Sequence, residues 1–349
     1  MKKTIIIIEN NKTTFEHLKE HVKSLGSVDI TFDEIDVALS GRSDQDNISG
    51  LVQKKIKKHG KNIVAFIVDL QLQNNNNYGG IQIIKDIRNI SQAKKDKEYW
   101  RLLVPVIVCT NYPNYSDTAI KAGANYVIQK DHVLEMEKEA ISMKRTWEKK
   151  LNDFITNKFL PVVNSYCSWY LTTMERIDLA PISVKEASIN FFKKNNNPDV
   201  KHAFVMTSFS KDYEKTIQKA LDSVQNQFYV KTHIANSSPG ETEEGLYNNL
   251  CGLMHCCDFG IGIYFPDPKT GNVNANLSVE VGYMLGLGKR ICYLKDVDLP
   301  QLNTDLISKI YTEYKKTKRA KGKDVLIMEE ALITWIKSAK NDLQIRERE

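Results

Sequence analysis

The chain has 349 residues, enough for two ordinary domains with cores of their own. Its 42% hydrophobic and 26% charged content is that of a soluble globular protein, and a net charge of +6 spread over scattered lysines describes a solvated surface better than a nucleic-acid groove. No segment is long enough to span a membrane, and the Ile5–Ile8 run, ending at Glu9, is too short for a signal-peptide core.

The six cysteines (Cys109, Cys167, Cys251, Cys256, Cys257 and Cys292) show no paired spacing, and Cys109 and Cys292 sit in strand-like apolar runs. Reduced thiols in a cytoplasmic protein are the expectation. His255-Cys256-Cys257 is not read as a metal site, because adjacent side chains diverge and no second ligand pair lies nearby.

In chain order, Thr4–Ile8, Asp29–Ile35, Ile63–Val68, Val104–Thr110 and Tyr126–Ile128 read as strands, several of them near-continuous apolar runs. Helical patterns fall between them at about 13–25, 48–59, 80–89 and 114–122. From His132 the pattern turns helical. Val133, Met136, Ala140, Met143, Trp147, Leu151 and Phe154 make a heptad-like seam that Pro161 should break or kink. Val162, Val163, Tyr166, Trp169, Tyr170, Met174 and Ile177 form a second stripe. The seam suits either a helix packed on its own domain or a dimerising signalling helix. After a polar linker at Lys193–Pro198, strands are predicted at 202–207, 228–235, 259–265 and 290–294. Helices are predicted at 212–225, 242–256, 277–287 and near 325–340. The fold class is therefore α/β: two doubly wound parallel-sheet domains joined by a helical linker. The expected divisions are 1–135, 136–200 and 201–349.

Ligands of an open α/β sheet collect at the carboxyl ends of its strands. In the first series those ends carry Glu9 and Asn10, Asp69, Thr110 and, just beyond the last strand, Lys130. Oxygen-bearing groups around one aspartate suit Mg²⁺, and a lysine with a hydroxyl can hold phosphoryl oxygens. These residues resemble the receiver domain of bacterial response regulators. The resemblance implies a flavodoxin-like fold, Asp69 in Val68-Asp69-Leu70-Gln71-Leu72 as phosphoacceptor, and a metal held by Glu9, Asn10, Asp69 and the Gln71 carbonyl. It also implies Thr110 and Lys130 as switch residues, the turn Ala122-Gly123-Ala124 before the last strand, and an upstream histidine kinase or other phosphodonor as partner. Asn10 departs from the family's second acidic residue, which should weaken Mg²⁺ binding.

In the second series the strand ends carry Thr207-Ser208-Phe209, Asn236-Ser237-Ser238 and Asp267, while Asp258 precedes its strand and is assigned a structural role. The stretch Asn274–Lys289 follows, a helix with the lone carboxylate Glu280 among Leu277, Val281, Met284, Leu285 and Leu287. The plain alternative for Glu280 is an ion pair with Lys289, Arg290 or Lys295. Phe204–Ser210, Leu246–Leu250, Cys257–Ile263 and Leu277–Lys289 together resemble a TIR-like domain, on the side of that group close to nucleoside deoxyribosyltransferases. The resemblance implies that Glu280 serves a ribose. Asn274 and Asn276 stand where the transferases place an acidic residue. Cleaving an N-glycosidic bond develops positive charge on the ribose, which a carboxylate stabilises, and nicotinamide leaves NAD⁺ neutral and needs no acid. The expectation is a receiver-regulated, homodimeric protein that binds a nucleotide and hydrolyses NAD as substrate. Its catalytic residue is Glu280, and Thr207, Ser208, Phe209, Ser238, Asp267, Asn274, Asn276 and Tyr283 face the nucleotide. A nucleotide-sensing module without turnover and a protein-interaction module are the alternatives.

Overall fold

The computed structural model describes residues 2–9, 24–25, 28–36, 45–72, 79–91, 95–130, 144–208, 210–234, 243–267, 271, 273–299, 311–315 and 326–348. The chain forms two compact units, Met1–Glu175 with Asn195–Asn197 and Arg176–Lys194 with Pro198–Glu349.

The first unit runs β1 (Lys3–Glu9), β2 (Ser24–Leu25), β3 (Val28–Asp36), α1 (Gln45–His59), β4 (Ile63–Val68), α2 (Gly79–Arg88) and two one-turn helices, α3 (Lys95–Glu98) and α4 (Trp100–Leu103). It continues with β5 (Val106–Thr110), α5 (Ser116–Ala122), β6 (Tyr126–Gln129), α6 (Lys144–Phe154) and α7 (Leu160–Leu179). Sheet order is β2-β3-β1-β4-β5-β6, parallel throughout except for the two-residue edge strand β2. Without that edge the order is the 2-1-3-4-5 of the flavodoxin-like doubly wound fold. Ile5–Ile8 and all of β4 are buried, as strands covered on both faces must be. Ser24 and Leu25 are strand rather than the end of the helix expected at 13–25, and the rest of that helix lies outside the described residues. Gly123 takes the left-handed conformation (φ 112°) that ends α5 and turns the chain into β6.

Pro161 does not break the helical middle. A five-residue π-helical segment, Ile155–Phe159, joins α6 to α7, and that local rearrangement absorbs the missing N–H and the ring clash of Pro161. Leu151 and Phe154 are buried within the chain, while Val133, Met136, Ala140 and Met143 lie outside the described residues. The middle is divided between the units: 144–175 belong to the first and 176–194 to the second.

The second unit adds α8 (Ile182–Lys194), β7 (Lys201–Thr207), α9 (Lys211–Gln227), β8 (Val230–Ile234), α10 (Glu243–Cys256), β9 (Phe259–Tyr264) and α11 (Ala275–Gly286). It ends with β10 (Arg290–Asp296), β11 (Thr312–Lys315), β12 (Leu326–Ile327) and α12 (Met328–Leu343). All six strands are parallel, in the order β12-β11-β10-β9-β7-β8. On one face Val205, Ile261, Ile263 and Leu294 pack against Leu221 and Val224 of α9 and Leu332 and Ile336 of α12. The other face receives α11. A Cβ on Gly260 would meet the methyls of Met206 at 2.7 Å and Met284 at 3.2 Å, and one on Gly262 would meet Val281 at 3.6 Å, so the bare backbone of β9 lets the helix lie close. Strand β11 escapes sequence reading because it is short and polar, and β12, two apolar residues leading directly into α12, falls within the helix expected near 325–340. Helix α8 falls within the helical linker expected at 136–200 but belongs to the second unit.

At the amino edge of this sheet Asp258, just before β9, accepts from the Arg176 guanidinium at 2.9 Å and from the His202 backbone N–H at 2.8 Å. The His202 and His233 rings meet nitrogen to nitrogen at 3.0 Å, with the Phe191 ring about 5 Å from each. Burial pushes both imidazoles down to about 4. In the unfolded chain they protonate near 6.5, so folding stability is complete above that pH and falls as the pH drops toward 4. Thermal unfolding of the full chain between pH 7 and 4 should show a loss on the order of 3 kcal/mol. Replacing both histidines by glutamine should flatten that slope, and an unchanged slope would contradict the account.

Candidate functional site

In the first unit four strand ends converge. Glu9 closes β1, Asp69 follows β4, Thr110 closes β5, and Lys130 follows β6. All four side chains are buried. The Lys130 ammonium donates to Glu9 Oε2 at 2.8 Å and to Asp69 Oδ2 at 2.9 Å, so one cation bridges two carboxylates. Burial raises the Glu9 carboxyl above its ordinary range even beside Lys130. The paired carboxylates hold Lys130 protonated well above the usual lysine range, against its desolvation. Asp69 Oδ1 accepts the Gln71 backbone N–H at 3.3 Å. The Thr110 hydroxyl oxygen accepts from the Tyr112 N–H at 3.1 Å, which leaves its own O–H to donate elsewhere.

Glu9, Asp69, Gln71, Thr110 and Lys130 are thus together at one carboxyl edge, and Asn10 lies outside the described residues. Among the described residues no group of three or more His, Cys, Asp and Glu side chains is arranged to hold a metal, so the acidic set here is the pair Glu9 and Asp69. Sequence reading missed Gly80, at the start of α2. A Cβ there would fall 2.2 Å from the Asp69 carbonyl oxygen and 2.7 Å from Leu70 Cα, so only glycine lets the helix begin against the backbone that presents Asp69.

In the second unit Glu280 lies on the second turn of α11, half-buried, and burial pushes its carboxyl up to about 7. No cation among the described residues pairs with it. Of the three candidates, Arg290 pairs with Asp342 and Lys295 with Glu313, while burial and Arg176 bring Lys289 down to about 8. Asn274 is the N-cap of α11, its side-chain oxygen accepting from the Asn276 N–H at 2.9 Å. That gives Asn274 a structural task in the stretch where the transferase pattern has an acid. Asn276 points to solvent, and Tyr283 and Asp267 are half-buried. Thr207 ends β7 and Ser208 follows it, but register pairs Thr207 with Ile263, so it lies on the α9 face while α11 carries Glu280 on the other. Phe209 and Ser238 lie outside the described residues.

Strand β10 runs two residues beyond its predicted end, and those two, Lys295 and Asp296, are both buried. They send opposite charges to opposite faces. Asp296 accepts from the Tyr213 hydroxyl at 3.0 Å and from the Asp298 N–H at 2.9 Å, with the Tyr213 ring stacked on Phe265 at 4.0 Å. In Tyr293-Leu294-Lys295-Asp296 the two charged residues mask the continuation of the strand. A cleft of about 240 Å³ lies between α9 and the start of α12, lined by Lys215, Thr216, Lys219, Ile327, Met328 and Glu329. Glu280 is not among its walls.

No protein-family model and no curated protein matches this chain. Among solved structures it is similar to the Mn²⁺-bound form of response regulator Rcp1, at 14% identity over 44% of this chain and 93% of that one (TM-score 0.27). It is similar to response regulator TrrA of Thermotoga maritima, solved with Mg²⁺-BeF, at 19% identity over 43% and 98% (TM-score 0.25). A LuxR-family DNA-binding response regulator from Staphylococcus aureus matches at 17% identity over 43% and 98% (TM-score 0.25). The N-terminal region resembles response-regulator receiver domains.

Gly80→Ala should cost about 1–3 kcal/mol in urea unfolding, the usual range for overpacking against backbone that cannot yield. The control Gly79→Ala, whose Cβ would make an ordinary 3.8 Å contact with Leu72, should change stability by under about 1 kcal/mol. Equal effects would show that the Asp69 backbone does not require Gly80.

Proposed function

We propose that this chain is a phosphorelay-type signalling protein in which the first unit receives a phosphoryl group on Asp69 and the second cleaves the N-glycosidic bond of NAD⁺. For the first unit, the support is the Glu9–Lys130–Asp69 bridge at the carboxyl edge. Two carboxylates on one ammonium leave a net negative, oxygen-only site, a donor set that fits a hard divalent cation held by Glu9, Asp69 and the Gln71 carbonyl. Bound there, the cation would neutralise phosphoryl oxygens. An Asp69 oxygen attacks phosphorus of the phosphodonor, the bond from phosphorus to the donor's leaving atom breaks, and its electron pair departs with that atom. Lys130 then exchanges a carboxylate for a phosphoryl oxygen, and the Thr110 hydroxyl supplies a hydrogen bond to another.

The reading of the second unit rests on a single observation: Glu280 is a desolvated carboxylate with no cation beside it among the described residues. An uncompensated charge of this kind is costly, and catalytic sites are where such costs are met. As the bond from ribose C1′ to the nicotinamide nitrogen breaks, its electrons neutralise the pyridinium, and the ionised Glu280 stabilises the positive charge left on the ribose. Water then forms the new bond at C1′ and releases a proton. One observation favours a protein-interaction role beside this one: the outer face of α11 is free of charge, with Val279 65% and Leu285 37% exposed.

Incubation with acetyl phosphate and Mg²⁺ should place one acid-stable, hydroxylamine-labile phosphoryl group on the chain and none on Asp69→Asn. Nicotinamide release from NAD⁺ should rise with pH through about 7, as Glu280 ionises, and fall at least about 100-fold in Glu280→Gln. Unchanged release in a folded Glu280→Gln preparation would end the catalytic reading and leave the interaction reading.

A further inference from the structure

The face of the second sheet beneath α11 carries polar groups whose rings pack in the core but whose phenol oxygens find no partner among the described residues. Register puts Tyr293 opposite Gly262 and Lys295 opposite Tyr264, so Tyr264, Tyr293 and Lys295 all lie on the glycine face that α11 covers. The Tyr264 ring folds back toward Gly262, its hydroxyl 3.6 Å from where a Cβ would stand there, and Val281 touches the same point. Glu280 immediately precedes Val281 on that helix.

Both phenol oxygens are buried, and neither finds a hydrogen-bond partner among the described residues. A buried hydroxyl without a partner is costly enough to need an explanation. Lys295 is 5% exposed, and its ammonium meets Glu313 Oε1 at 3.2 Å, from a side chain that is itself 47% exposed. An ammonium and two phenols are hydrogen-bond donors, and the one carboxylate that meets them among the described residues, the half-exposed Glu313, reaches Lys295 from the solvent side, a set suited to an anion rich in acceptor oxygens.

We propose that Tyr264, Tyr293 and Lys295 form the phosphate subsite of a nucleotide whose pentose faces Glu280, with the Glu313 carboxylate standing where an anionic phosphate oxygen would. This deepens the glycosidic reading and rests on it for the placement of the pentose. The ligand class it names is a nucleoside diphosphate or dinucleotide rather than a free nucleoside. Glu313, on its solvent side, swings away as the phosphate takes its place.

The test is calorimetric titration of the full chain with ADP-ribose and, separately, adenosine, for wild type, Lys295→Met and the double variant Tyr264→Phe/Tyr293→Phe. Wild type should bind ADP-ribose at least tenfold more tightly than adenosine. Each variant should lose at least tenfold for ADP-ribose and less than twofold for adenosine. The melting temperature of the tyrosine double variant without ligand should stay level or rise, since no partner is left stranded, whereas a merely structural pair would lower it. Equal wild-type affinity for the two ligands, or variants that bind ADP-ribose as wild type does, overturns the proposal. Nicotinamide release by the same preparations and by Glu280→Gln separates the two ideas. Release that depends on Glu280 with Lys295-independent ADP-ribose binding sinks only the subsite. Lys295-dependent binding without release sinks only the glycosidic chemistry.

Discussion

A parallel strand covered by helices on both faces has nowhere along its length for a charge. Its backbone groups are used by its neighbours, and its side chains on both sides meet apolar cores. β4 and β9 are buried from end to end, and the carboxylates nearest them, Asp69 after β4 and Asp258 before β9, stand just outside the strands. That constraint accounts for the convergence of Glu9, Asp69 and Lys130 from three different strands, and for the placing of Lys295 and Asp296 at the last two positions of β10.

The same constraint made the first unit legible. Continuous apolar runs announced the strands, and the residue types just beyond them announced the edge. Hidden from sequence was how the charges divide. That Lys130 bridges Glu9 and Asp69 is a matter of three strands in register, and nothing local encodes it. Gly80 was equally silent, because its need for a missing Cβ comes from the Asp69 carbonyl, eleven positions earlier and on another element.

The second unit shows where pattern reading stops. Helices of ordinary amphipathicity were found, and Gly260 and Gly262 were noticed only as part of a motif. Their physical role is to let Val281 and Met284 descend onto β9 and so bring Glu280 down beside the sheet. β10 was cut short because Lys295 and Asp296 look like loop residues, although a strand can end on charges that turn to opposite faces. β11 and β12 are too short to show a strand pattern, although Tyr314 and Leu326 join the core. Pro161 was expected to interrupt a helix; a π-helical segment takes up the strain. The alternation rule also separates Thr207 from Glu280, so residues near in a strand-end inventory serve different faces.

The central claim is that Glu280 is uncompensated because it faces a ligand. A crystal structure of the full chain with ADP-ribose tests it most directly. The account expects the terminal ribose within hydrogen-bonding distance of the Glu280 carboxylate and the pyrophosphate at Lys295. A ligand bound elsewhere, with a lysine or arginine ammonium or guanidinium against Glu280, would contradict it.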